Sequence, residues 1–111
     1  MEIKSEKQGP VTVVAIAGSL DAVTAPKLTE YLGKAFGSGS TKMVIDLSAL
    51  EYTSSAGLRV LLSTTKEARQ KGGDLRIAST QPSVNKVFEL SGFTSIIKFF
   101  PDVVSAVSSF S

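Results

Sequence analysis

The chain has 111 residues, twelve basic against ten acidic for a net charge of +2, 42% hydrophobic residues, and no histidine, cysteine or tryptophan. That is the size of one domain, here residues 1–111, able to bury roughly 60–70% of the surface its unfolded form exposes. Without histidine or cysteine no Ser-His-Asp or Cys-His site can be assembled, and a transition-metal centre would have to be all carboxylate, so neither metal nor other cofactor is expected.

No stretch of 18 apolar residues suggests a membrane span, and Met1–Lys7 lacks the apolar core and cleavage site of a signal peptide, so a cytoplasmic location without membrane contact is expected. The basic residues are scattered. Their densest group, Lys66, Arg69 and Lys71, is interleaved with Glu67 and Asp74, which reads as a solvated helix face and not as a nucleic-acid surface.

In chain order, Ile3–Lys7 and the β-branched, alternating run Val11–Ala17 flank the turn signal Gln8-Gly9-Pro10 and predict a hairpin. Leu28, Tyr31, Leu32, Ala35 and Phe36 then fall at helical spacing, with Thr24 placed to cap the helix and Pro26 tolerated in its first turn. Gly37–Lys42 has phosphate-loop composition but lies between a helix and a strand, the reverse of a Walker loop, and reads as a flexible connection. Met43–Leu47 is a buried strand. Leu58, Leu61, Leu62, Thr65 and Ala68 mark a second helix, which Gly72-Gly73 stops. Leu75–Ala78 is a strand, Pro82–Leu90 a helix with Val84, Val87 and Phe88 inward, and Ile96–Phe100 the last strand. Pro101-Asp102 opens a final helix that needs to bury Val103, Val104 and Val107.

The order β-β-α-β-α-β-α-β-α calls for a mixed, mostly parallel sheet with four helices and right-handed crossovers, the hairpin strand lying antiparallel at one side. In such a sheet the loops at the carboxyl ends of the strands gather on one edge, where ligands and partners dock. Two loops there are distinctive and should be neighbours: Gly18–Ala25, and Leu50–Leu58 with its cluster Thr53-Ser54-Ser55-Ala56-Gly57. Read from composition, Ser54 or Ser55 caps the helix that follows, and Asp21 is a turn or cap residue. Two features argue against the alternative of a small serine hydrolase using Ser55. Thr53 stands where the nucleophile elbow needs glycine, and no base exists to activate the hydroxyl.

Three elements in this order, Gly18-x-Leu20-Asp21-x-x-Thr24-Ala25, then Val44-Ile45-Asp46-Leu47-Ser48 leading to Tyr52-x-Ser54-Ser55-x-Gly57-Leu58, and Val87-Phe88-x-x-x-Gly92-Phe93, make the chain resemble the anti-sigma-factor antagonists built on the STAS domain. The resemblance covers nearly the whole length. It implies partner switching without enzymatic activity of the chain's own: the unphosphorylated protein binds an anti-sigma factor that is also a serine kinase, phosphorylation of one serine ends the binding, and a metal-dependent phosphatase restores it. Anchored on Gly57-Leu58, the acceptor falls on Ser55. Many members carry an aspartate just before the acceptor and a serine or threonine just after it, where this chain has Ser54 and Ala56, so Ser54 is the second candidate. The implied partner surface comprises Asp21, Thr24, Ser54, Ser55, Ala56, Gly57, Leu58 and Arg59, with Ala56 and Gly57 small enough to admit a kinase active site and Arg59 either paired with a phosphate or simply solvated. The alternative is a STAS module that scaffolds a signalling or transport assembly without phosphorylation.

Overall fold

The computed structural model describes residues 1–111. The Gly9-Pro10 turn, with Gly9 at φ +64°, joins β1 (Glu2–Gln8) to β2 (Val11–Leu20) in an antiparallel hairpin. Then follow α1 (Ala25–Gly37), β3 (Lys42–Asp46), β4 (Leu50–Thr53), α2 (Ser55–Gln70), β5 (Asp74–Ala78), α3 (Pro82–Leu90), β6 (Lys98–Phe100) and α4 (Val103–Ser108). The strands form one six-stranded sheet in the order β1-β2-β3-β5-β6, parallel except for β1, with β4 paired to β2 off this path.

One strand was not expected from sequence. β2 forks: Thr12–Ala15 pair with β3, and from Gly18 the end of β2 pairs in parallel with β4 across a bulge at Gly18/Ser19, Gly18 opposite Leu50, Ser19 opposite Tyr52 and Leu20 opposite Thr53. Gly18 has φ +96°, a left-handed backbone that glycine adopts without strain, and its freedom permits the change of partner.

Side chains alternate across the pleat, so one face of the sheet receives α1, α2 and α3 and the other receives α4. Val14, Ile16, Leu20, Met43, Ile45, Leu75 and Ile77 pack with Leu28, Leu32, Leu58, Leu61, Val84 and Phe88 in the main core. On the far face Val11, Val13, Val44 and Ala78 pack with Ala106. Here the expectation for α4 needs correcting: Val104 is 74% exposed, and Ala106 is the residue this short helix buries, with Val103 and Val107 packed beside it. The last strand is also shorter than expected, because a 3-10 turn at Phe93–Ser95 occupies the approach and buries Phe93 near the Phe88 ring, 6.1 Å between centroids.

Two further corrections concern polar residues. Arg69 is not a solvated spectator: its Nε donates to Asp74 Oδ1 at 2.8 Å and its Nη2 to the Ile96 carbonyl at 2.8 Å. Arg76 reaches Asp74 Oδ2 at 3.1 Å and Ser109 Oγ at 2.6 Å, and its guanidinium lies 3.9 Å from the centre of the Phe110 ring, so Asp74 ties α2, β5 and the C-terminal helix together. The connection before β3 is likewise anchored, since Ser40 is buried and accepts from Thr12 Oγ1 at 2.9 Å.

Candidate functional site

The carboxyl end of β2 runs into a tight turn that one aspartate organises. Asp21 Oδ1 accepts from the backbone N–H of Val23 at 2.9 Å and of Thr24 at 3.0 Å, while its carbonyl accepts from Ala25 N at 2.8 Å. These bonds, led by the one from the Thr24 backbone, hold the Asp21 carboxyl below the usual carboxylate range. Thr24 therefore does not cap α1 with its side chain as expected. Its backbone is already helical, and its hydroxyl accepts from Asp21 N at 2.9 Å and donates to the Ser19 carbonyl at 3.0 Å. Asp21 supplies the closure that was assigned to Thr24, and the first turn of α1 is left with little free donor capacity, Pro26 having no N–H and Lys27 N bonding Thr24 O at 3.1 Å.

The second loop meets the first directly. Ser54 N donates to the Leu20 carbonyl at 2.9 Å, so the start of α2 is hydrogen-bonded to the last residue of β2. Ser54 is the only residue between β4 and α2, in extended backbone at φ −99°, ψ 174°. It occupies the cap position without capping: its Oγ is enclosed by protein and has no hydrogen-bond partner. Ser55 is the first helical residue and is exposed. The backbone N–H groups of Ser55, Ala56 and Gly57 bond to no acceptor in the chain, in contrast to the closed first turn of α1. The end of α2 thus leaves three backbone N–H groups without an acceptor, those of Ser55 and Ala56 on residues open to solvent, with the positive end of the helix dipole beside the exposed Ser55.

Gly57 is buried, and it serves the interior instead of opening the surface to an enzyme. A Cβ there would lie 2.6 Å from Leu20 Cγ and 2.6 Å from Thr53 Oγ1. The absent side chain is what lets α2 settle against the β2–β4 fork. Leu58 is buried in the main core as well, so neither residue offers a side chain to a partner. Of the remaining candidates, Ser55 and Arg59 are exposed, and Asp21, Thr24, Ser54 and Ala56 are partly so.

Three features of this edge escaped the sequence reading. Val23, in the turn before α1, is 86% exposed and Tyr52, in β4, is 54% exposed, and a shallow groove of ≈ 560 Å³ runs between α1 and α2, lined by Ala22, Ala25, Pro26, Ala56, Val60 and the polar Thr29 and Glu30. The signal for Val23 was present: an apolar residue inside an Asp-x-x-Thr turn has no interior to enter. The larger concavity of the molecule, ≈ 670 Å³ between the hairpin and α1 around Thr12, Tyr31 and Ser40, lies at the amino ends of the strands, away from Ser55. No three carboxylates come together anywhere, and no helix is long and apolar enough to cross a membrane.

Residues 2–106 match the family model described as the STAS domain. A Bordetella bronchiseptica protein, BtrV, assigned as an anti-sigma factor antagonist, is 34% identical over 110 residues, which cover 99% of this chain and 95% of that one. The anti-sigma F factor antagonist of Paenibacillus polymyxa is 27% identical over 97% of this chain and 93% of its own. Among solved structures, an anti-sigma factor antagonist from Mycobacterium paratuberculosis superposes with a TM-score of 0.90 at 28% identity, over 98% of this chain and 92% of that chain.

Proposed function

This chain belongs to the STAS domain family, and on that premise we propose that it is an anti-sigma factor antagonist controlled by phosphorylation of Ser55. In this reading the unphosphorylated protein binds an anti-sigma factor that is also a serine kinase and so frees the sigma factor. The kinase then transfers the γ-phosphoryl group of ATP to Ser55 Oγ, with loss of the hydroxyl proton and release of ADP, and the complex separates. A metal-dependent phosphatase hydrolyses the phosphoserine and returns the protein to its binding form. The chain itself acts as a regulator, not as an enzyme.

The observation that carries the assignment is the contrast between two adjacent hydroxyls: Ser55 is exposed on the first residue of α2, whereas Ser54 Oγ is enclosed. A kinase must place the acceptor oxygen in line with the γ-phosphorus of ATP, and only an accessible hydroxyl can be so placed. Three free N–H groups and the helix dipole then favour the product. A phosphoserine of about −1.5 to −2 charges at such a helix end gains roughly 1–2 kcal/mol, so modification leaves the fold intact. A partner that covers Val23, Tyr52 and the α1–α2 groove must desolvate the same charge, with Glu30 lining that groove, which costs several kcal/mol. Binding is lost without any change of conformation in this chain.

The test is incubation of the purified chain with its cognate kinase and ATP. One phosphate is expected on Ser55. Ser55→Ala should bind the kinase yet resist modification, Ser55→Asp should keep the native fold and bind poorly, and Ser54→Ala should still be phosphorylated. Phosphate mapped to Ser54 would move the acceptor by one residue. If neither serine is modified and Ser55→Asp binds like the wild type, the switch is refuted and a non-phosphorylated scaffold takes its place.

A further inference from the structure

We propose that the free edge of β1 is a self-association surface, through which two copies of this chain pair antiparallel about Ser5 to give one continuous sheet. β1 stands at the end of the strand order, with β2 on one side and no strand on the other. The two-residue turn makes Gln8 and Val11 the closing hydrogen-bonded pair, and bonded and non-bonded positions alternate from there. Glu2, Lys4, Glu6 and Gln8 therefore direct their backbone groups to β2, and Ile3, Ser5 and Lys7 direct theirs outward.

Charged side chains on an edge strand ordinarily prevent this pairing, because like charges meet. Here the sign alternates at the period of the pleat. Glu2, Lys4 and Glu6 project from one face, all exposed, and neither Lys4 nor Glu6 has a salt-bridge partner within the chain. With Ser5 opposite Ser5 of the second copy, Ile3 falls opposite Lys7 and Lys4 falls opposite Glu6, twice over by symmetry. The outward-facing backbone groups of Ile3, Ser5 and Lys7 then meet their counterparts, and each Lys4–Glu6 pair sits at a non-hydrogen-bonded position, where opposed side chains approach most closely. Shifting the register by two residues toward the amino terminus sets Lys4 against Lys4 of the second copy. Charge thus favours the register about Ser5 over this one, and over a register about Ile3, which also sets Glu2 against Lys4, it has the longer paired stretch, the whole of Glu2–Gln8. The contact uses none of the residues around Ser55, so it stands or falls independently of the switch.

A seven-residue edge buries less surface than a stable interface, so the dimer is weak and reversible, with a dissociation constant of about 10⁻⁵–10⁻³ M. Sedimentation velocity of the full chain over a range of concentrations tests it. The wild type should show concentration-dependent dimerisation, and Lys4→Glu and Glu6→Lys, each alone, should weaken it at least tenfold. An equimolar mixture of the two variants should associate again, because one protomer then carries glutamate at both positions of the pair and the other carries lysine at both; a folding defect cannot produce that rescue. A wild type that stays monomeric at millimolar concentration overturns the proposal. So does a dimer that Glu6→Lys leaves unchanged, or single variants that fail to associate on mixing.

Discussion

Replacing Gly57 by alanine adds one methyl group where the fold has no room for it. The new Cβ would stand 2.6 Å from Leu20 Cγ, 2.8 Å from Leu20 Cδ2 and 2.6 Å from Thr53 Oγ1. Leu20 is wholly buried and Thr53 is 4% exposed, so neither can swing into solvent, and the start of α2 must move away from the fork. With three atoms at 2.6–2.8 Å, the upper part of the usual overpacking range applies, about 2–3 kcal/mol, against which alanine's better helix propensity returns about 0.8–1 kcal/mol. A net loss of about 1–2 kcal/mol is expected, which for a domain of this size lowers Tm by roughly 4–12 °C. Gly33 supplies the internal control. It too lies within a helix, α1, but a Cβ there meets nothing within 4 Å, so Gly33→Ala should stabilise by about 0.5–1 kcal/mol. Urea melts of the two variants with the wild type decide the matter. If Gly57→Ala is as stable as the wild type, or shifts in the same direction as Gly33→Ala, the close approach of α2 to Leu20 is refuted.

Asp74→Asn leaves Arg69 and Arg76 without their shared carboxylate and should cost about 2–4 kcal/mol, less than a fully enclosed pair because Arg69 is partly in water. Burial works against ionisation of Asp74, yet the hydrogen bonds from Arg69 and Arg76 prevail and hold its carboxyl below the ordinary 3.8. A lowered folded value means stabilisation that is complete above the unfolded value and lost as pH falls through the folded one, so the wild-type advantage over Asp74→Asn should be constant from pH 8 to about 5 and shrink below about pH 4 in denaturant titrations. Ser54→Ala removes a hydroxyl that makes no bond and should change stability by less than about 0.5 kcal/mol; a loss near 1 kcal/mol in the same melts would show that it caps α2 after all. Deleting Asp102–Ser111 uncovers Val11, Val13 and Val44 and should lower stability by about 3–6 kcal/mol, whereas an unchanged melting temperature would show that α4 is dispensable.

What was legible in the sequence was periodic. α3 lies on Pro82–Leu90 as expected, and the hairpin, the stripe of α1 and the glycine stop of α2 follow their patterns. What was missed lacked a period long enough to read. Leu50-Glu51-Tyr52-Thr53 is buried only at its two ends, because the bulge opposite breaks the alternation that would mark a strand. In α4 six residues make fewer than two turns, and three valines outweigh one alanine in any count of apolar residues, yet Ala106 is the residue that fits against the sheet. At the candidate site, the motif singled out Ser55 and Asp21 as candidates, but a hydroxyl's direction depends on one torsion angle, so nothing in the sequence distinguishes the enclosed Ser54 from the open Ser55. Likewise the spacing of Asp21 and Thr24 allowed either to close α1, and only the backbone of Thr24, already helical, decides for Asp21.

The single-residue join between β4 and α2 governs what kind of substrate the proposed acceptor Ser55 would present. Most linear phosphorylation motifs are drawn out as flexible peptides and threaded through the kinase cleft. Ser55 has no slack to be drawn out: Thr53 is in the sheet, Ser54 is hydrogen-bonded to Leu20, and the helix begins at once. An enzyme that modifies it must accept a rigid folded surface and recognise residues brought together from both loops. A synthetic peptide covering 48–62 should then be a far poorer substrate than the intact protein, and unfolding the chain should abolish modification without touching the serine.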